Sequence, residues 1–395
     1  MKIAIMTSGI LPVPAVQGGA VENLIDFYLE YNNQYQLHDI TVYSIWNAAV
    51  KRHSALKTNA NHYRYIKTEG FFSIINKIIY KKFHKKGYYN YTIEYYFEQA
   101  FKIIKKEKYD AIIVENRPGF VLKLMDRINT KYILHLHNDF LKPDTRQASN
   151  IFAGFNSIIG VSDFISNRVQ IINPKQSKCQ TVYNAIDSQR FYDAISLRRE
   201  TFGLFERDFV IVYSGRLTKD KGILQLIQAI NKLNGIQNLK LLIIGASAYG
   251  KDKQPTRFIQ QLEKESEPIK DQVIFTGFID YQQVPSYLKM ADIAVIPSMW
   301  EEPFGLTVVE AMAAGLPLIT TRSGGIPEIC EGVATIVDRD NIVENLAASI
   351  LNLYNNPEKC KQMSAASLER SKLFDKETYA KHFFAALESI NSTDK

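Results

Sequence analysis

The sequence predicts an α/β protein built as two doubly wound domains, each a parallel sheet with helices on both faces. Three observations carry this. Short β-branched and aliphatic runs alternate along the whole chain with segments of i, i+3, i+4, i+7 apolar spacing, the pattern of successive βαβ units. Several runs, such as Ile293–Ile296, hold no polar residue, as strands covered on both faces require. A chain of 395 residues is also long enough, at about 150 residues per domain, for two or three full cores.

In order, the expected strands are Lys2–Met6, Asp39–Tyr43, Ala111–Val114, Tyr132–His135, Ser157–Val161 and Cys179–Val182. Then come Phe209–Tyr213, Lys240–Ile244, Val273–Phe275, Ile293–Ile296, Leu318–Thr320 and Ala334–Val337. Helical periodicity is clearest over Ile223–Leu233, Gln282–Met290 and Ile342–Leu353, and again over Lys376–Ile390. Composition changes over Asp187–Asp208, where the turn Asn184-Ala-Ile-Asp187 leads into a polar stretch before the apolar run at Phe209. The expected domains are 1–190 and 191–375. Residues 376–395 are expected to form a helix and tail that pack back toward the first domain.

The composition is ordinary for a globular protein, 46% hydrophobic and 23% charged with 20 Gly and 13 Pro, and it excludes disordered, collagen-like and disulfide-stapled classes. Three scattered cysteines, Cys179, Cys330 and Cys360, make neither a disulfide framework nor a zinc site, and point to a reducing compartment. Residues 3–21 carry no charge, but Gly9, Pro12, Pro14, Gly18 and Gly19 interrupt them, so they read as a strand and glycine-rich loop rather than a signal sequence. No other stretch is apolar enough to span a bilayer.

Ligands of such folds bind in the cleft at the carboxyl ends of the strands, so the loops there are the ones to read. The first strand runs into a loop ending Gly18-Gly19-Ala-Val-Glu22 ahead of a helix, where bare backbone and the helix dipole suit an anion. A plain strand-to-helix turn is the simpler account of a lone Gly-Gly. After Phe209–Tyr213 comes Ser214-Gly215-Arg216-Leu217-Thr218-Lys219-Asp220-Lys221-Gly222, in which Arg216 and Lys221 could clamp a diphosphate. The richest stretch is 296–317, with Glu302 in a loop and Glu310 inside the apolar run Leu306–Ala314. A buried carboxylate needs a partner, and ribose hydroxyls would serve. A second glycine-rich turn, Arg322-Ser323-Gly324-Gly325-Ile326-Pro327-Glu328, follows the next strand. In the first half, His137 stands just past a strand end, placed to meet a sugar hydroxyl or phosphate, whereas His135 points into packing. Asp338-Arg339-Asp340 has the Asp-x-Asp form of a divalent-metal site, but its place before the Ile342 helix reads as capping.

Taken together these motifs resemble the GT-B glycosyltransferases of family 4 (glycosyl transferases group 1), the retaining nucleotide-sugar transferases. Glu302-x7-Glu310 within Pro-Ser-x3-Glu-Pro-Phe-Gly-Leu-x3-Glu-Ala-Met-Ala-Ala-Gly-Leu-Pro carries most of the resemblance. Gly215-Arg216-Leu217 with Lys221-Gly222, Ala291-Asp292 and Gly324-Gly325-Ile-Pro-Glu328 accompany it, and Gly18-Gly19-x2-Glu22 and His137 are less specific. One departure is Ala185, where the family commonly has Gly.

The resemblance implies a GT-B fold, two Rossmann-like domains facing a central cleft, with acceptor bound by the first and nucleotide sugar by the second. It implies catalytic roles for Glu302, His137, Arg216 and Lys221. Arg216 and Lys221 would neutralise the donor diphosphate, Glu310 would bind the ribose, and Glu302 the hydroxyls of the transferred sugar. His137 would bond the donor sugar. Backbone N–H groups at Phe304, Gly305 and Leu306 would meet sugar and phosphate, and those at Gly18 and Gly19 would close over the diphosphate. No metal or other cofactor is expected beyond the nucleotide-sugar substrate, with a uridine diphosphate sugar favoured and a saccharide or lipid-linked saccharide as acceptor. A retaining hydrolase using Glu302 and Glu310 is a rival, but it leaves Arg216 and Lys221 without purpose. A catalytically silent nucleotide-binding or scaffold protein on the same fold is the alternative of another class.

The net charge of +7 hints at anionic partners, yet no nucleic-acid module is present. Residues 51–108 hold 14 basic and 4 acidic residues, +10, which leaves −3 for the remainder. The same segment holds Phe71, Phe72, Tyr80, Phe83, Tyr88, Tyr89, Tyr91, Tyr95, Tyr96, Phe97 and Phe101. Read as helices with interleaved basic and aromatic residues, it is expected to dock a cytoplasmic enzyme on the anionic inner face of the plasma membrane. The bland alternative is a solvated helical face with the aromatics turned inward.

Overall fold

The computed structural model describes residues 1–57, 60–83, 91–246 and 256–392. They fall into two units, Met1–Asn184 with Lys376–Lys395, and Ala185–Asp375. The sheet of the first unit holds β1 (Lys2–Met6), β2 (Asp39–Ile45), β3 (Asn61–Ile66), β4 (Ala111–Glu115), β5 (Lys131–Leu136), β6 (Ser157–Gly160) and β7 (Cys179–Thr181). Their order is β3-β2-β1-β4-β5-β6-β7, all parallel. The second unit holds β8 (Phe209–Ser214), β9 (Leu239–Ile244), β10 (Val273–Gly277), β11 (Ile293–Ile296), β12 (Leu318–Thr321) and β13 (Thr335–Val337), in the order β10-β9-β8-β11-β12-β13, also parallel. Both are the doubly wound arrangement, with chain direction reversing beside the first strand of each unit.

The central strand β1 buries Ile3, Ala4, Ile5 and Met6 completely, because each of its faces is covered by helices. One of these, Ala20–Tyr35, turns Leu24, Ile25, Tyr28 and Leu29 inward at helical spacing. It packs against the last helix, Lys376–Ser392, where Tyr28 stacks on Phe383 with centroids 4.2 Å apart. An aromatic pair of this kind adds about 1 kcal/mol beyond area burial. In the second unit the Ile223–Asn231 helix does the same with Ile223, Leu226, Ile227 and Ile230 against Ile211, Leu241 and Ile293. Each buried aliphatic side chain contributes roughly 2 kcal/mol of transfer free energy.

Three sequence expectations change. β3 lies inside the segment read as helical. It is an edge strand whose burial alternates, with Tyr63 and Tyr65 supplying one apolar face, their rings stacked 6.2 Å apart. On the Tyr91–Ile104 helix, Tyr95, Tyr96, Phe97 and Phe101 are core rather than surface. Phe97 meets Phe120 at 4.3 Å, and the Tyr96 hydroxyl donates to the Tyr43 carbonyl at 2.6 Å. The side chains of Phe72, Tyr80, Phe83, Tyr88, Tyr89 and Tyr91 lie outside the described residues. Finally, Asp338 does not cap a helix. It accepts from Arg322 Nε at 3.0 Å, and Asn341, in the left-handed region, precedes the Ile342–Tyr354 helix instead.

Candidate active site

In the second unit the direction reverses between β8 and β11, so the loops leaving their carboxyl ends lie side by side at the switch point. Gly222 makes this approach possible. At φ 71°, a Cβ there would fall 1.8 Å from the Pro297 carbonyl oxygen. The Met299 N–H donates to the Asp220 carbonyl at 2.8 Å and ties the two loops together. Lys221 and Glu302 meet across this junction. The Lys221 ammonium donates to Glu302 Oε1 at 2.5 Å, the Ser298 hydroxyl donates to the same oxygen at 2.6 Å, and the ammonium sits 5.2 Å from the centre of the Trp300 indole.

The loop after β12 grips Glu302 from behind. Gly324 has φ 55°, and a Cβ would lie 2.1 Å from the Glu302 carbonyl oxygen, which accepts the Gly325 N–H at 2.8 Å. The neighbouring Glu301 takes the Gly324 N–H at 2.8 Å and an Arg339 guanidinium at 2.5 Å. Arg216 is exposed. Its carbonyl accepts the Tyr213 hydroxyl at 2.8 Å, which fixes the backbone from which the guanidinium projects.

Gly305, with φ 118°, opens the Leu306–Ala313 helix. The first N–H groups of a helix have no acceptor within it, so this terminus is suited to an anion. The Phe304 ring is buried edge-on against Phe374 at 5.8 Å, so its side chain is taken up in packing. Glu310 lies just over a turn inside the helix and is buried. Burial pushes its carboxyl up to about 7, opposed by a hydrogen bond from Tyr281 and by the Arg190 charge. Arg190 lies over the Tyr281 ring, 4.9 Å from its centroid, and donates to the Tyr281 carbonyl at 3.1 Å. Tyr281 escaped the sequence reading because no motif surrounds it; only the fold brings it to Glu310.

In the first unit, Gly19 precedes the Ala20–Tyr35 helix with φ 106°, and a Cβ there would lie 2.2 Å from Glu22 Oε2. Glu22 is buried, its carboxyl raised by that burial, and it accepts from the Ser8 hydroxyl at 3.3 Å. The Gly18 N–H is taken within the loop by the Ala15 carbonyl at 2.9 Å, which leaves Gly19 as the one of the two with no acceptor for its N–H among the described residues.

His137 is buried beside a group the sequence did not single out. Its Nε2 lies 2.9 Å from Glu115 Oε2, His135 Nδ1 lies 3.1 Å from the same oxygen, and the Tyr28 hydroxyl donates to Glu115 Oε1 at 2.9 Å. The His137 backbone N–H is held by Asn116 Oδ1 at 3.1 Å. Burial and the neighbouring His135 lower His137 to about 4, so it is neutral at neutral pH. Burial alone would raise Glu115, but the two histidines more than offset it and hold it at about 2. A neutral His137 donating from Nε2 has an acceptor at Nδ1, an atom buried and without a partner among the described residues. Glu115, His135 and His137 are also the described group whose donor atoms lie close enough together for a divalent ion. Here these atoms already satisfy one another as a hydrogen-bonded network.

Residues 195–370 match the family model for glycosyl transferases group 1. The putative glycosyltransferase YtcC of Bacillus subtilis is 27% identical over 379 residues, 92% of this chain and 86% of that protein. Spore coat protein SA of the same organism is 28% identical over 84% of this chain and 83% of its own. Among solved structures, Anabaena Alr3699/HepE, crystallised with UDP and glucose, superposes with a TM-score of 0.70 at 19% identity, covering 98% of this chain and 100% of that one, which shows the GT-B fold. The matched domain and the alignment along most of the chain liken it to the group 1 glycosyltransferases, and the shared fold is GT-B.

Proposed function

We propose that this protein is a retaining, metal-independent transferase of the family 4 type, moving a hexose-type sugar from a nucleotide diphosphate sugar to a saccharide or lipid-linked saccharide. Assembly of cell-surface polysaccharide or glycolipid on the cytoplasmic side of the membrane is the setting that fits. The observation that carries the reading is the junction of Lys221, Glu302 and Ser298 beside the exposed Arg216 and the open terminus of the Leu306–Ala313 helix. Cations, a carboxylate and the N–H groups of a helix start are the groups that a diphosphate and a sugar call for, and this supports the reading. The solved complex of the Anabaena protein with UDP and glucose supports uridine as the base.

In this reading Arg216 and Lys221 take up charge as the diphosphate leaves, in place of a divalent ion. Glu302 binds the sugar hydroxyls and Glu310 the ribose. His137 bonds the donor sugar, and the leaving phosphate helps deprotonate the acceptor on the same face. Catalysis is then charge stabilisation and positioning, and one contact to the leaving group is worth about 3 kcal/mol, or about a hundredfold in rate.

The test is a panel of nucleotide sugars and saccharide acceptors, followed for acceptor-dependent release of UDP, with EDTA present and absent. Transfer that resists EDTA and keeps the anomeric configuration of the donor is expected. Nucleotide binding without turnover on any acceptor would favour a silent scaffold, and an inverted product would overturn the mechanism.

A further inference from the structure

The Phe71–Phe83 helix carries isoleucines that stand exposed among the described residues of the first unit. Ile74, Ile75, Ile78 and Ile79 are 54%, 38%, 62% and 50% exposed, and Phe71, at the start of the same face, is 73% exposed. At 100° per residue these five positions fall within an arc of about 140°, a single stripe along the helix. Most exposed apolar residues on a folded protein stand singly, and a continuous stripe of isoleucines calls for a partner.

The charge around the stripe identifies the partner. Between Gly70 and Ile93 the sequence holds five lysines and no acidic residue. Lys77 lies within the helix and Lys82 is exposed near its end. A second copy of the chain would bring two such lysine sets together, whereas an anionic bilayer offers hydrocarbon to the stripe and headgroup charge to the lysines. No helix among the described residues is long and apolar enough to cross a membrane, so the attachment is interfacial.

We propose that the Ile74–Ile79 face of this helix rests on an anionic lipid bilayer, with the isoleucines at the acyl boundary and the lysines among the headgroups. The inference names the element that makes the contact and rests on the first unit alone. It holds whether or not the donor chemistry above is correct.

Flotation of the full chain on vesicles of phosphatidylcholine, with and without about one-third phosphatidylglycerol, tests it. The protein is expected to float with the anionic vesicles and to leave them at high salt. Ile74→Gln with Ile78→Gln should cut the bound fraction about tenfold while melting temperature and any transfer to a soluble acceptor stay as in the parent. Lys77→Glu with Lys82→Glu should remove the dependence on anionic lipid. Equal flotation on both vesicles, or double-glutamine protein that floats as well as the parent, would overturn the proposal. So would a dimer in solution that the double-glutamine change converts to monomer without altering flotation.

Discussion

Lys221 and Glu302 form an ion pair across the loops after β8 and β11, with the Ser298 hydroxyl donating to the same Glu302 oxygen. The pair is largely enclosed, with side chains 21% and 10% exposed. Its two halves are unequal. Without the ammonium, the Glu302 carboxylate is left in a largely enclosed site with the Ser298 hydroxyl as its remaining side-chain donor among the described residues. Without the carboxylate charge, the longer lysine side chain can turn to water. Lys221→Met is therefore expected to lower stability by about 3 kcal/mol and Glu302→Gln by about 1 kcal/mol or less. Urea melts measure both, and the reverse order would show that the pair does not hold these loops together.

Arg216 has no such structural debt. Its side chain is exposed, and the Tyr213 hydroxyl holds its backbone whatever the side chain is. Arg216→Ala should leave stability within about 0.5 kcal/mol of the parent and cut acceptor-dependent turnover by about a hundredfold. Turnover near the parental rate would remove Arg216 from the leaving-group site.

The fold was legible because buried parallel strands advertise themselves. Twelve of the thirteen strands overlap runs expected from the sequence, and the exception, β3, is an edge strand with one half-polar face. The second-unit site was legible because its loops carry charged residues beside glycines that the close loop packing requires, as at Gly222 and Gly324. Tyr281 and Glu115 were not. Each acts through a partner far away in sequence, and a single tyrosine or strand-end glutamate looks the same whether it is paired or solvated. The 51–108 segment shows the opposite limit. Counting charge and aromatics found the region, but only packing could separate Tyr96 and Phe97, in the core, from the isoleucine face that is exposed.

Glu310 makes the second-unit site sensitive to pH. Its carboxyl is raised from 4.5 to about 7, chiefly by burial, so the folded state prefers the protonated form. The stability this contributes is complete below the unfolded value and is lost as pH rises through about 7. Glu310→Gln, neutral at every pH, should gain on the parent by about 3 kcal/mol between pH 4.5 and 7. Tyr281→Phe removes a hydrogen bond that lowers the Glu310 pKa and should move the window upward. Unfolding free energies measured across this range decide the matter, and a constant difference would mean that Glu310 is ionised throughout.

Glu115 has the opposite sign. Its carboxyl is held down from 4.5 to about 2 by His135 and His137, which offset a burial term acting the other way. Its stabilising contribution is therefore present above the unfolded value and lost as pH falls toward 2. His137, lowered to about 4, acts in the same direction over a higher range. Its resistance to protonation costs stability progressively as pH falls from 6.5 to about 4. Glu115→Gln keeps the shape of the site but removes the charge that His135 and His137 face, and should cost about 3 kcal/mol at pH 7. That deficit should shrink toward pH 3, because Glu115 of the unfolded parent takes up a proton near 4.5 while the folded carboxylate keeps its charge down to about 2. Urea melts of both proteins at pH 7 and pH 3 test this. A deficit of equal size at the two values would show that Glu115 contributes by shape and hydrogen bonding, with no part played by its charge.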